Sequence, residues 1–195
     1  MAVGGLAGLK IPVKFWRPEG VENSLEIWQA GMSQNPHLFK NFLEGDEPLS
    51  LGREVIRFFL RQSKITFPAL ALSLIEKPNR LIKGRHQRFL NMIPELRDRI
   101  EQKLGENGVI ICPVFPTPAP KHNRIWLNFL GIGYSGVFNI LEFPATIIPI
   151  FHRQDGLPVS VQVVAGRWKD HLTMATAKLL EEIFGGWEPP ERIGR

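Results

Sequence analysis

The sequence predicts an α/β fold, a mixed sheet core covered by helices. Three observations predict it. First, "GLPVSVQVVAGRWKDHLTMATAKLLEE", from Gly156 to Glu182, reads as turn, strand, turn and helix in one span. Second, two other short apolar runs are bounded by proline or glycine, as buried strands are. Third, the first half carries apolar residues at spacings of three and four, the helical period.

The elements follow in order. "ENSLEIWQAGMS" opens with Asn23 or Ser24 as a cap, and Leu25, Trp28 and Met32 then mark an amphipathic helix. Pro36, Gly45 and Pro48 punctuate the next stretch into short turns. Residues 53–77, "REVIRFFLRQSKITFPALALSLIEK", form a candidate helix pair in which Pro68 starts or kinks the second helix. A long polar helix follows, with a stripe of Leu81, Phe89, Met92, Ile93, Leu96, Ile100 and Leu104, ended by Gly105 or Gly108. Val109 to Val114 is a buried strand, "ATIIPI" a second and Val159 to Ala165 a third, with Asp155-Gly156 as a turn. Asp170 is read as the cap of a helix over Leu172 to Phe184, and Gly185 suits its C′ position. Three strands are few for so many helices, and they read as buried on both faces. The sheet is therefore expected to continue in sequence beyond these 195 residues.

Composition narrows the function classes. Charged residues make up 22% and hydrophobic residues 44%, ordinary for a globular chain. The net charge of +5 is spread among interleaved acids, as in "LRDRIEQK", and no motif accompanies it, so nucleic acid is not an expected partner. The apolar stretch before Lys10 lacks the preceding basic residues of a secretory signal. No apolar run approaches the roughly 18–20 residues of a membrane span. The single cysteine, Cys112, excludes an internal disulfide and fits a reduced compartment. It reads as a buried thiol in an apolar strand, with a reactive thiol as the alternative.

Gly133-Tyr134-Ser135-Gly136-Val137 resembles a nucleophile elbow but has Val137 where glycine is required, so a close-packed glycine turn competes with it. His37, His86, His122, His152 and His171 show no metal-ligand spacing, and no metal or other cofactor is expected. Lys169-Asp170-His171 reads as a helix start, with acid–base work as the alternative. No catalytic residue is assigned. In 53–77, aromatic and aliphatic residues alternate with Arg53, Arg57, Arg61 and Lys64, which fits either an interfacial membrane helix pair or a core hairpin.

"FNILEFPATIIPIFHRQDGLPVSVQVVAGRWKDHLTMATAKLLEEIFGGW" resembles the C-terminal section of the amidase signature family. Within that family the likeness is to type 2 fatty-acid amide hydrolases. "DGLPVSVQVVAGRWKDHL" is similar to the family's D-G-L-P-x-G-x-Q-x-V segment, "CPVFPTPAPKH" to the proline-rich strand end before it, and "GGW" to a further match. The likeness runs over roughly residues 20–190, with the motifs in order. Ser160 stands where the family usually has glycine.

The resemblance implies hydrolysis of amides by a serine nucleophile, a second serine and a lysine base, without a cofactor. Those residues lie in a glycine/serine-rich signature and an upstream lysine, and no "GGSSG"-like run occurs in this chain. The chain is therefore expected to be a partial amidase domain over residues 1–195, inactive alone. A non-catalytic lipid-binding or regulatory remnant of an amidase is the alternative. By resemblance, Phe129, Ile132, Ser135, Gly136 and Trp168 line the acyl pocket; a plain packing role between strand and helix competes for Trp168. Phe58, Phe59, Phe67 and Leu70 are expected to face a membrane. The implied partners are a fatty-acid amide substrate and a membrane surface, a homo-oligomer being left open, at an intracellular, membrane-associated location.

Overall fold

The computed structural model of the chain describes residues 11–34, 50–63, 65–66, 69–70, 73, 83–121 and 124–189. Phe67, Pro68, His37, His122 and Leu81 lie outside these.

Three strands form the described sheet: β1 (Val109–Pro113), β2 (Ala145–His152) and β3 (Pro158–Ala165), in the order β1-β3-β2. Both ladders are antiparallel, so the mixed strand directions expected of the complete sheet are not represented among the described residues. The β2–β3 connection is the predicted turn. Gly156 sits at φ 77, and its N–H donates to Arg153 O at 2.9 Å.

Register decides which residues share a face. Cys112, Gln162 and Ile147 align across the sheet, as do Ile110, Val164 and Ala145. This face carries the larger core, built with α1 (Ser24–Met32), α3 (Lys83–Leu104) and α4 (Gly133–Ile140). The other face presents Ile111, Val161, Val163 and Ile148 to Leu180 of α5 (Asp170–Phe184). The central strand β3 is thus covered on both sides from Val161 onward, as its unbroken apolar run requires. Cover is incomplete at the edge: Ile147 of β2 shares a face with buried Gln162 yet is exposed.

In α3 the predicted stripe is present. Phe89, Ile93, Leu96 and Ile100 are buried, at spacings of four, three and four. The helix ends before Gly105, which takes φ 61. Arg97 then crosses to α4, its Nε donating to Leu141 O at 3.1 Å and a terminal nitrogen to Ile140 O at 3.3 Å. These carbonyls at the end of α4 lack helical partners, so one guanidinium both caps α4 and fastens it to α3.

Three expectations need correction. In α1 the fully buried residues are Ile27 and Ala30, whereas Met32 is exposed and Leu25 and Trp28 are half-buried. The reason is that α1 packs between α3 and α4, so its inward arc centres on Ile27. Asp170 is the first residue of α5 and Lys169 holds the cap position; the carboxylate favours the helix start by charge, with no side-chain cap bond. Leu70, expected to face a membrane, is 4% exposed. Ser73 is buried as well, its Oγ donating to Ala69 O at 2.9 Å.

Helix α2 (Leu51–Phe59) buries Leu51 and Glu54. Its outward side shows Ile56, Phe59 and, just past the helix, Leu60, at 63%, 81% and 60% exposure. Phe58 is half-buried and meets the Phe59 ring edge-on, with centroids 6.1 Å apart.

Candidate functional site

Four of the five predicted pocket residues, Phe129, Ile132, Ser135 and Gly136, lie where a 3-10 segment (Ile125–Ile132) runs into α4. Phe129 lies in that segment, and its side chain is outside the described residues. Ile132 and Ser135 are half-buried and Gly136 is buried. The Gly133–Val137 stretch is the first turn of a helix, which removes the elbow reading: an elbow requires a strand to enter it.

The glycines there serve close packing. A Cβ on Gly136 would lie 2.6 Å from Trp28 Cδ1, and one on Gly133 3.1 Å from Leu25 N. On the facing helix, a Cβ on Gly31 would lie 2.6 Å from Ile140 Cγ2. Helices α1 and α4 therefore approach along three missing side chains. One turn earlier, Gly131 is closed on by Phe115 in the same way, at 2.5 Å.

Gln162 fixes this turn to the sheet. It is 1% exposed, in the middle of β3. Its Nε2 donates to Tyr134 O at 2.8 Å and to Pro113 O at 2.9 Å. One amide thus joins the end of β1, the centre of β3 and the start of α4. The glutamine in the D-G-L-P-x-G-x-Q-x-V pattern was the available signal, since a buried amide must find partners. Cys112 neighbours Gln162 in register, and burial pushes its thiol up to about 11, so it stays protonated and inert near neutral pH.

No activated nucleophile is assembled among the described residues. Ser135 Oγ has no hydrogen-bond partner within them. A different pair, Ser33 Oγ and His86 Nε2, stands 3.1 Å apart. Ser33 Oγ, however, donates to Ala30 O at 2.6 Å, which leaves the histidine facing an oxygen lone pair. His86 then donates rather than accepts, the reverse of what a general base must do. His171 is exposed, and Lys169 Nζ reaches Gly105 O at 2.7 Å, so the Lys169–His171 trio serves the helix start.

Trp168 stands apart from Ser135 and Gly136. It follows the far end of β3, whose residues advance about 3.3 Å each from Gln162. It is 90% exposed with φ 64, so it does not pack between strand and helix. Its neighbour Arg167 is held by Glu101 through two side-chain bonds, at 2.9 and 3.1 Å, and through Arg167 N at 3.3 Å. The guanidinium keeps the Glu101 carboxyl below its usual range. An anchored loop therefore presents a bare indole in left-handed backbone, which is uncommon for an aromatic residue.

The amidase family profile matches residues 2–174. Fatty-acid amide hydrolase 2 of Homo sapiens is 36% identical over 183 residues, which is 87% of this chain and 33% of that protein. Fatty-acid amide hydrolase 2-A of Danio rerio is 34% identical over 86% of this chain and 32% of its own length. The chain thus spans about a third of the length of these curated relatives. Among solved structures, 6-aminohexanoate cyclic dimer hydrolase superposes with a TM-score of 0.61 at 17% identity, over 99% of this chain and 42% of that one. The allophanate hydrolase of Kluyveromyces lactis gives 0.59 at 13% identity, over 94% of this chain and 28% of that one. Sequence and fold agree along nearly the whole length, and the chain belongs to the amidase family.

Proposed function

We propose that this chain is the section of a fatty-acid amide hydrolase that walls the acyl channel and rests on a membrane. The serine nucleophile, second serine and lysine base belong to sequence outside these residues. The observation that carries the reading is the 3-10/α4 junction. It is fixed by Gln162 and by packed glycines, yet it leaves Leu130 and Tyr134 exposed and holds no nucleophile of its own. A rigid, partly bare apolar wall suits an acyl chain, each buried CH₂ of which is worth about 0.8 kcal/mol. By the resemblance, Phe129, Ile132, Ser135 and Gly136 are assigned to this wall, and Trp168 would add an apolar surface at the other end of β3.

The membrane contact falls on α2. Ile56, Phe59 and Leu60 recur at spacings of three and four, so they form one outward stripe, with Phe58 beside it. Arg53 and Arg61 are exposed next to it and would meet anionic lipid. Arg57 is partly committed to Glu54, at 2.9 Å. No helix among the described residues is long and apolar enough to cross a membrane. Contact through α2 would therefore be peripheral, and a lipid amide could enter from the bilayer. In a full-length protein, Ile56→Asp with Phe59→Asp should abolish flotation with liposomes. It should also slow hydrolysis of long-chain amides presented in vesicles, while short soluble amides turn over as before. Equal loss on both substrates, with loss of circular dichroism, would return the stripe to the core.

A further inference from the structure

Trp168 stands at a backbone position that favours glycine. Lys169 N donates to Gly166 O at 3.2 Å, which closes a four-residue turn with Trp168 third in it. At φ 64 the residue is in the left-handed region, and turns with positive φ there take glycine or asparagine by preference. A bulky side chain strains such backbone. Burial within this chain does not offset the strain, because the indole is 90% exposed.

Strained backbone persists where its surroundings over-determine it. Both neighbours of Trp168 are fastened to the same end of α3. Glu101, in the last turn of that helix, accepts from the Arg167 guanidinium on both carboxylate oxygens, at 2.9 and 3.1 Å, and from Arg167 N at 3.3 Å. On the other side of the indole, Lys169 Nζ donates to Gly105 O at 2.7 Å, one residue past the helix. A Cβ on Gly166 would lie 3.7 Å from Glu101 Cγ, so the glutamate stem also runs along the turn. Glu142, just past α4, stands 3.9 Å from the Arg167 guanidinium and 3.3 Å from that of Arg97. The turn is thus tied to α3 on both sides of a side chain that makes the turn harder to form.

We propose that Glu101 is a positioning residue for acyl-chain selection, holding the Trp168 turn so that its indole meets a long acyl chain. The proposal deepens the channel reading of Trp168 and rests on it. Glu101 itself touches no substrate; it acts through Arg167 on where the indole stands.

The test compares a long-chain and a short-chain amide in a full-length protein. Glu101→Gln keeps the size of the side chain but loses the charged, two-oxygen grip on Arg167. The Michaelis constant for the long amide should rise by about fourfold, the worth of one buried CH₂, while that for the short amide stays near wild type. In a Trp168→Ala background the same substitution should change neither constant. Should Glu101→Gln lose circular dichroism, Arg167→Lys keeps the charge and the main-chain bond but not the fork, and carries the same test. A rise that is equal for both amides, or that persists in the Trp168→Ala background, makes Glu101 a structural residue and overturns the proposal. No rise, where Trp168→Ala alone raises the long-chain constant, overturns the role of Glu101 and leaves the channel reading standing. No effect of Trp168→Ala on the long amide overturns the channel reading of Trp168 and the proposal with it. Trp168→Gly should match Trp168→Ala in kinetics without lowering the thermal midpoint, since glycine suits φ 64. A lowered midpoint would mean that the indole is packed against the rest of the protein, and it too overturns the proposal.

Discussion

The 195-residue chain, purified alone, should hydrolyse no amide above background and should remain unlabelled by a serine-directed fluorophosphonate. Acyl transfer requires a nucleophile with a base in hydrogen-bond reach and donors aimed at the developing oxyanion. Ser135 has no such base among the described residues, and the Ser33–His86 pair has the wrong donor order. A free serine hydroxyl at neutral pH is a weak nucleophile, so the expected signal is none rather than a reduced one. Intact-mass measurement after probe treatment decides it. Stoichiometric adduct at Ser135 or Ser33 would show a reactive centre that the geometry does not provide.

Gln162→Leu should be among the most damaging single substitutions in the sheet. The leucine fills similar space but removes both bonds, leaving Pro113 O and Tyr134 O without this donor beside a buried strand. Pro113 and Tyr134 are themselves exposed residues, so the loss is that of two part-buried hydrogen bonds, each worth about 0.5–1.5 kcal/mol, or about 1–3 kcal/mol for the pair. Whole domains are stable by roughly 5–15 kcal/mol, so a sizeable share would be lost. For a chain of this size the thermal midpoint should fall by roughly 2–12 °C. Hydrogen exchange should accelerate first around Tyr134 and Ser135, before the α3 stripe is affected. A midpoint within a degree of wild type would mean that the Gln162 bonds contribute little to the junction.

The parts of this fold that the sequence displays are those set by local period and local turns. The Phe89–Ile100 stripe, the β3 run and Gly185 at φ 89 all depend on near neighbours, and all stand as read. The errors arise where a distant partner decides. Leu25, Trp28 and Met32 form a respectable helical stripe, but a second packing helix turned α1 toward Ile27. Around α2 the apolar residues Val55, Ile56, Phe58, Phe59 and Leu60 nearly encircle the helix, so period alone could not choose its inner side. The structure puts Glu54 there, tied to Ser63 nine positions later. At the candidate site only the local geometry is legible: Gly133 and Gly136 read as a close-packed turn, whereas the tie to Gln162 joins residues 28 positions apart and leaves no periodic trace. The exposure and left-handed backbone of Trp168 have no local signal either; they sit beside the Arg167–Glu101 anchor, which joins residues 66 positions apart.

The channel-wall assignment is tested most directly by acyl-chain dependence in a full-length protein. Amides of graded chain length would be compared between wild type and the single variants Ile132→Ala and Trp168→Ala. If these side chains wall the channel, the Michaelis constant should rise for long chains and stay near wild type for short ones, with the gap widening for each added CH₂ in contact. Equal changes for short and long amides in both variants would contradict the assignment and leave this section a structural one.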